Sequence, residues 1–522
     1  MRKTTITTDK NNFVFPPRKP RSDRGDVVFT SCSRCFPIDT QAMRSKILDL
    51  AMRGKLTEQL PEDGSAEELF RQIQAEKQRL IRAGKHKEEK PLPEISDEEV
   101  PFPVPPSWRW VYLGELFQHN TGKALNSSNT LGQQLEYITT SNLYWNRFEL
   151  DGLKTMSFTD SELEKCTVRK GDLLVCEGGD IGRSAIWPYD YEMRIQNHIH
   201  RLRQYSKNIC TEFYYYLLWF YKQTGRINGI GIGLQGFSAK RVHSLIVPLA
   251  PYDEAVRLVE IIKQAFSLLD TIDALQAQYA DNLTVLKTKL LEAAIQGKLT
   301  DQLPEDGTAE DLYRQIQTQK QALIKAGKIK KEKPLPENTT EEIPFEIPSN
   351  WKWVVLGNIT SKISSGNTPT GGRNSDVYVP SGFPFFREQN IYDDGIHQAG
   401  MVFISESLLA TRQNSTVKAK DILLNITGGS IGRCALVPDD FDRGSINQHI
   451  LIIRAVVPET RHYLHMLICS PYVQSQIKNN AVGDKDGFSA GRCKRLLVPL
   501  PPLAEQKRIV QKIDGAMKVF EN

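Results

Sequence analysis

Three short runs recur in the two halves of this 522-residue chain, and their side chains suit contact with phosphates and base edges. The first is GDLLVCEGGDIGRSA (171–185) against KDILLNITGGSIGRCA (420–435), an apolar strand and a Gly-Gly turn ending in Arg183 and Arg433. The second is Gln196-Asn197-His198-Ile199 against Asn447-Gln448-His449-Ile450. The third is Gly236-Phe237-Ser238-Ala239 against Gly487-Phe488-Ser489-Ala490, each followed by an arginine (Arg241, Arg492) and a Val-Pro-Leu exit. Arg, Gln, Asn and Ser are the residue types that bond phosphate oxygens and base edges. The glycines admit close backbone approach and positive φ. His198 and His449 read as hydrogen-bonded core histidines. Recurrence of all three runs implies one fold used twice.

Other chemistry fails on inspection. GNTPTGGR (366–373) has the spacing of a phosphate loop but ends in Gly-Arg where Gly-Lys-Ser/Thr is required. The chain lacks the Asn/Asp-Pro-Pro-Tyr/Phe run of adenine methyltransferases. Glu88-Glu89-Lys90 could end a nuclease motif, but the second copy has Lys331 there. No catalytic residue is assigned. Among eight cysteines only Cys32-x-x-Cys35 forms a close pair, so neither a disulfide framework nor a metal site is expected. A reducing, cytoplasmic setting follows. The net charge of +5 permits nucleic acid without demanding it. No apolar run reaches membrane-spanning length.

The elements that carry these runs come from a duplication. Residues 46–116 align without a gap onto 289–359, with about 44 of 71 positions identical. Between the repeats lie blocks that differ except at the three runs. Trp108 and Trp110, and Trp351 and Trp353, open the blocks on an alternating strand pattern and read as packing residues. Residues 252–297 lack Pro and, before Gly297, Gly. Their apolar positions, Val259, Ile262, Phe266, Leu269, Leu283, Leu286 and Leu290 among them, step by three and four. This predicts one helix of roughly 65–70 Å, paired with another as a coiled coil. Its back half matches the N-terminal repeat and its front half matches the C-terminal VPLPPLAEQKRIVQKI (498–513), so the two termini would rebuild a second copy. Ser65-x-x-Glu68 and Thr308-x-x-Asp311 predict capped helices beyond.

The expected organisation is a disordered, dispensable extension 1–42 before a natural start at Met43, then a spacer segment 43–106. A recognition block 107–250, a central spacer 251–349, a second block 350–501 and a spacer segment 502–522 follow. The fold class is mixed α/β (α+β), with two blocks separated by long antiparallel coiled-coil helices in a pseudo-twofold, circular arrangement.

The paired blocks, the GDLL…GGxIGR turn, the NQHI run and the VPLPPLAEQ helix entry resemble the specificity subunits of type I restriction–modification systems, over about 43–522. The resemblance implies that each block reads half of a split DNA target and that the chain is catalytically inert. It implies two methyltransferase subunits docked on the helices, joined by translocating restriction subunits. S-adenosylmethionine, ATP and Mg²⁺ would act on those partners. Base-reading candidates lie where the blocks diverge: Lys123, Asn126, Asn142, Arg147, Gln235 and Lys240 in the first, and Asn367, Arg373, Arg387, Gln389, Asn390 and Lys485 in the second. A methylation-only or orphan specificity subunit is the near alternative. A self-sufficient methyltransferase or nuclease, or a two-headed scaffold without a DNA role, are the distant ones.

Overall fold

The computed structural model describes residues 37–125, 131–227, 236–331, 343–369, 377–479 and 488–521. The chain divides into an N-terminal unit, Pro37–Tyr279, and a C-terminal unit beginning at Ala280.

The N-terminal unit opens with α1 (Thr40–Met52) and α2 (Ala66–Arg82), the latter capped by Ser65 as its sequence predicts. Then come β1 (Arg109–Tyr112), α3 (Leu113–Leu116), β2 (Phe117–Thr121), β3 (Gln133–Ile138) and the hairpin β4 (Leu143–Tyr144)–β5 (Arg147–Phe148). After β6 (Lys154–Phe158) and α4 (Asp160–Cys166) follow β7 (Thr167–Val168), β8 (Leu173–Cys176), β9 (Ser184–Ile186), β10 (Met193–Ile195) and β11 (Ile199–Gln204). The unit ends with α5 (Thr211–Gln223), α6 (Ala239–His243), β12 (Ile246–Leu249) and the first part of α7 (Tyr252–Ile295). Two four-stranded sheets, β6-β3-β10-β7 and β2-β11-β8-β9, form the body. β1 and β12 pair antiparallel with Trp110 opposite Pro248, so the block leaves the helical frame and returns to it at one point.

The C-terminal unit repeats this plan. It contains α8 (Ala309–Lys325), β13 (Lys352–Val355), α9 (Leu356–Ile359), β14 (Thr360–Ser365), β15 (Tyr378–Val379), β16 (Phe383–Phe386) and the hairpin β17 (Ile391–Tyr392)–β18 (Gly395–Ile396). β19 (Val402–Ile404), α10 (Glu406–Thr411), β20 (Thr416–Lys418), β21 (Ile422–Asn425), β22 (Cys434–Leu436), β23 (Arg443–Ile446) and β24 (Ile450–Ala455) complete its sheets. α11 (Arg461–Cys469), α12 (Pro471–Asn479), α13 (Ala490–Lys494), β25 (Leu497–Leu500) and α14 (Leu503–Glu521) close it. The sheets β14-β24-β21-β22 and β15-β19-β16-β23-β20 match those of the first unit, with one added edge strand, and Trp353 faces Pro499.

A buried carboxylate fastens each block to its helix. Glu254 accepts from Trp108 Nε1 (2.9 Å), Gln59 Nε2 (2.6 Å) and Thr57 Oγ1 (3.0 Å). Glu505 accepts from Trp351 Nε1 (2.8 Å) and Thr300 Oγ1 (2.9 Å). One turn further on, Arg257 grips Asp63 and Arg508 grips Asp306, which holds both aspartates below the usual carboxylate range. Trp108 and Trp351 are packing residues, as their alternating pattern suggested.

Within its own unit, α1 runs antiparallel to the front of α7: Thr57 meets Glu254, Thr40 meets Asp273 at 2.6 Å, and the Ile38 amide meets Gln276. α14 meets the chain leaving the back of α7 through the corresponding contacts at Thr300 and Asp306. Each unit thus assembles its helical frame from pieces distant in sequence. Two expectations need correction here. The boundary at residue 43 falls inside α1, because Asp39 caps that helix by accepting from the Ala42 amide at 2.8 Å; residues 1–36 lie outside the described residues. The apolar seam of α7 is not buried throughout. Val259, Ile262, Phe266 and Leu269 are buried beneath α1 and α5, whose Tyr216 and Trp219 meet Phe266 edge-on. Leu283 and Leu290 are half-buried and Leu286 is exposed. Among the described residues of that unit, α1 reaches along α7 as far as Gln276.

Candidate nucleic-acid interface

Both units build the same corner from the hairpin and the turn after β8 or β21. Before each hairpin an asparagine closes a turn with its side chain. Asn142 Oδ1 accepts from the Thr139 amide (2.9 Å), and its Nδ2 donates to the Glu149 carbonyl (3.0 Å). Asn390 Oδ1 accepts from the Arg387 amide (3.0 Å), and its Nδ2 donates to the carbonyls of His397 (3.1 Å) and Ala399 (3.2 Å). These bonds fix where the next tyrosine stands. Arg183 lies over the ring of Tyr144 at 4.9 Å and Arg433 over that of Tyr392 at 4.5 Å. Each tyrosine also carries a second group from its own hairpin region. Arg147 lies 4.8 Å from the Tyr144 ring, while His397 stacks on Tyr392 at 4.1 Å and 15°.

The arginines reach this position because the turn before them needs glycine. Gly182 and Gly432 both have φ above +80°, and a Cβ there would strike Ile227 and Gln474 respectively. Arg183 Nη2 also donates to the Thr140 carbonyl at 2.6 Å, which fixes the half-buried guanidinium in place. A planar cation held against an aromatic ring is pre-organised to meet a phosphate or a base edge with little loss of entropy.

The sequence candidates divide accordingly. Arg147, Arg183 and Arg433 meet at these corners, and Arg387 and Gln389 both donate to the Gly400 carbonyl beside the second. Ser238 and Lys240 are exposed at the start of α6, and Ser489 caps α13 by accepting from the Arg492 amide at 3.3 Å. Asn367 is exposed, its carbonyl accepting from Arg412. Asn126, Gln235, Arg373 and Lys485 lie outside the described residues. Three readings are corrected. Lys123 is 9% exposed and spends its charge internally, donating to Glu162 (2.7 Å) and the Ser157 carbonyl (2.6 Å). Asn390 is fully buried and Asn142 half-buried, and each spends its side-chain amide on closing its own turn. His198 is 56% exposed beside Glu177, not a core residue; the sheet behind it instead buries His200, against the half-buried His119.

Those two meet through ring nitrogens 3.0 Å apart, and His200 Nε2 donates to the Phe237 carbonyl at 2.6 Å, tying the Gly-Phe-Ser-Ala run to the sheet. Burial pushes His119 down to about 3 and His200 down as well. Sequence reasoning missed Tyr144 and Tyr392. Their signal was present as Asn-Leu-Tyr (142–144) and Asn-Ile-Tyr (390–392), a fourth recurring run.

Two copies of one mixed α/β module, each with a basic-aromatic corner, make the chain a tandem of one domain. The comparisons name it. The family model for the type I restriction modification DNA specificity domain matches residues 105–278 and 348–520, and the chain belongs to that family. It is 29% identical over 552 residues to the specificity subunit of the type I restriction enzyme EcoEI of Escherichia coli, covering 92% of this chain and 89% of that one. It is 27% identical over 551 residues to the EcoAI specificity subunit of the same organism, covering 90% and 88%. Among solved structures, the HsdS subunit from Thermoanaerobacter tengcongensis superposes with a TM-score of 0.46 at 18% identity, covering 80% of this chain and 91% of that chain. A chain from a study of assembly and conformational transition in the type I R-M system gives 0.49 at 18%, covering 80% and 92%. Among the described residues no helix is long and apolar enough to cross a membrane.

Proposed function

We propose that the chain reads a split, asymmetric DNA target, one half-site per unit, for a type I restriction–modification complex. The observation that carries this is the repeated Arg–Tyr corner set among unlike neighbours. Arg183 on Tyr144 sits beside Trp145, Asn146 and Arg147, whereas Arg433 on Tyr392 sits beside Asp393, Asp394 and His397. A common anchor with divergent surroundings suits phosphate contacts that position and base contacts that specify. α7, at 44 residues or about 66 Å, is the candidate ruler for the gap between half-sites. Its exposed Leu275, Tyr279 and Leu286 are candidate contacts for two methyltransferase subunits, to which translocating restriction subunits would add. S-adenosylmethionine, ATP and Mg²⁺ belong to those partners in this reading.

The test is the methylome of a methylation-deficient host expressing this chain with its cognate methyltransferase subunit. A bipartite, asymmetric adenine-methylation motif with a fixed gap is expected. A continuous motif, or purified chain that methylates DNA alone, would overturn the reading.

A further inference from the structure

The same structural corner that holds Trp145 in the N-terminal unit holds a set of metal-ligating side chains in the C-terminal unit. In the first copy, Trp145 at the hairpin turn stacks on Trp219 of α5 (5.7 Å between centroids, 23° between planes) and lies edge-on to Tyr215 (6.1 Å). Ser184, directly after the Ile-Gly-Arg run, starts the strand beneath, and its carbonyl accepts from the Asn146 amide. In the second copy every one of these places changes. Asp393 takes the hairpin turn, Cys434 follows Ile-Gly-Arg, and the helix against that strand presents His465 and Cys469, one turn apart as Tyr215 and Trp219 are. Three bulky rings have given way to short side chains with ligand atoms.

We propose that Cys434, His465 and Cys469 bind a zinc ion that staples β22, α11 and, through Asp393, the β17–β18 hairpin together. The ligand atoms all lie within 4.8 Å of one another, and Cys469 Sγ is 3.8 Å from His465 Nε2. Tetrahedral zinc with bonds of about 2.3 Å to sulfur and about 2.0 Å to nitrogen holds S and N about 3.5 Å apart and two sulfurs about 3.8 Å apart. Closure therefore needs side-chain shifts of an ångström or less. Binding releases the two thiol protons and leaves the imidazole proton on Nδ1, exchanging the Nε2 bond to the Cys434 carbonyl (3.0 Å) for the metal. Asp393 Oδ1 accepts from the Cys434 amide at 3.0 Å and lies outside the cluster of three ligand atoms, so a water that it orients takes the fourth position. The staple anchors the hairpin that carries Tyr392, the partner of Arg433. The sequence hid the site because Cys434 lies 31 residues before His465, and His-x-x-x-Cys alone is commonplace.

The experiment is metal analysis of the full-length chain purified under reducing conditions, followed by chelation and titration with Co²⁺. One zinc per chain and a thiolate-to-cobalt charge-transfer band are expected, both kept in Cys32→Ser/Cys35→Ser. Both should fall at least tenfold in Cys434→Ser/Cys469→Ser. Because that variant could fail to fold, alkylation of the wild-type chain provides an independent arm: Cys434 and Cys469 should resist the reagent with zinc and react after chelation. Metal retained without these two cysteines, no metal in the wild type, or a Cys434–Cys469 disulfide in protein prepared without reductant would overturn the site.

Discussion

Arg433 is half-buried and lies over the Tyr392 ring at 4.5 Å. On the proposed DNA reading, Arg433→Met should cost about 1–3 kcal/mol of binding to target DNA with an unchanged melting temperature, measured by fluorescence anisotropy and calorimetry. Unchanged affinity would remove the corner from the interface. His119 makes the opposite kind of prediction, about stability alone. Its folded pKa of about 3 lies below the ordinary 6.5, so unfolding takes up a proton between those values. Its contribution is complete above pH 6.5 and is lost as pH falls toward 3. Urea midpoints measured across that window should fall less steeply in His119→Gln than in the wild type.

At the scale of elements, α1 is the test of what the frame requires. Asp39→Ala removes the cap that accepts from the Ala42 amide and should destabilise the N-terminal unit by about 1 kcal/mol. A truncation beginning at Met43 should lose more, because the Thr40–Asp273 and Ile38–Gln276 bonds go with the cap. Equal urea midpoints for the truncated and full chains would show that residues 37–42 are dispensable. In α7, Leu269→Pro removes a backbone bond at a buried position, costing about 3 kcal/mol or more. It should also abolish co-purification with the methyltransferase subunit if α7 is the docking helix; retained methylation in cells would count against that role.

For the whole molecule, the paired antiparallel ends of each block, Trp110 against Pro248 and Trp353 against Pro499, bring its entry and exit together, so on the proposed reading each block is a separable insert. Replacing 350–501 with the corresponding block of another family member should therefore change one half of the methylated motif and leave the other half and the gap alone. Methylome sequencing of the chimera checks this, and a change in both halves would sink the modular reading.

The sequence by itself determined the duplication, the long helix, the capped helices at Ser65 and Thr308, and the recurring Ile-Gly-Arg corner. Those features rest on local rules: apolar spacing, capping side chains and turn glycines act within a few residues. Only tertiary structure decided which polar side chains were free. Lys123 and Arg147 look equally available in sequence, yet one is buried against Glu162 and the other lies exposed on a hairpin. It also decided that Glu254 and Glu505, ordinary helix-entry acids by pattern, are the buried clamps of the frame. Tertiary structure alone brought Cys434 to His465 and Cys469. Burial and long-range contact depend on which elements pack together, and that pairing is set by the whole core, not by any window of the chain.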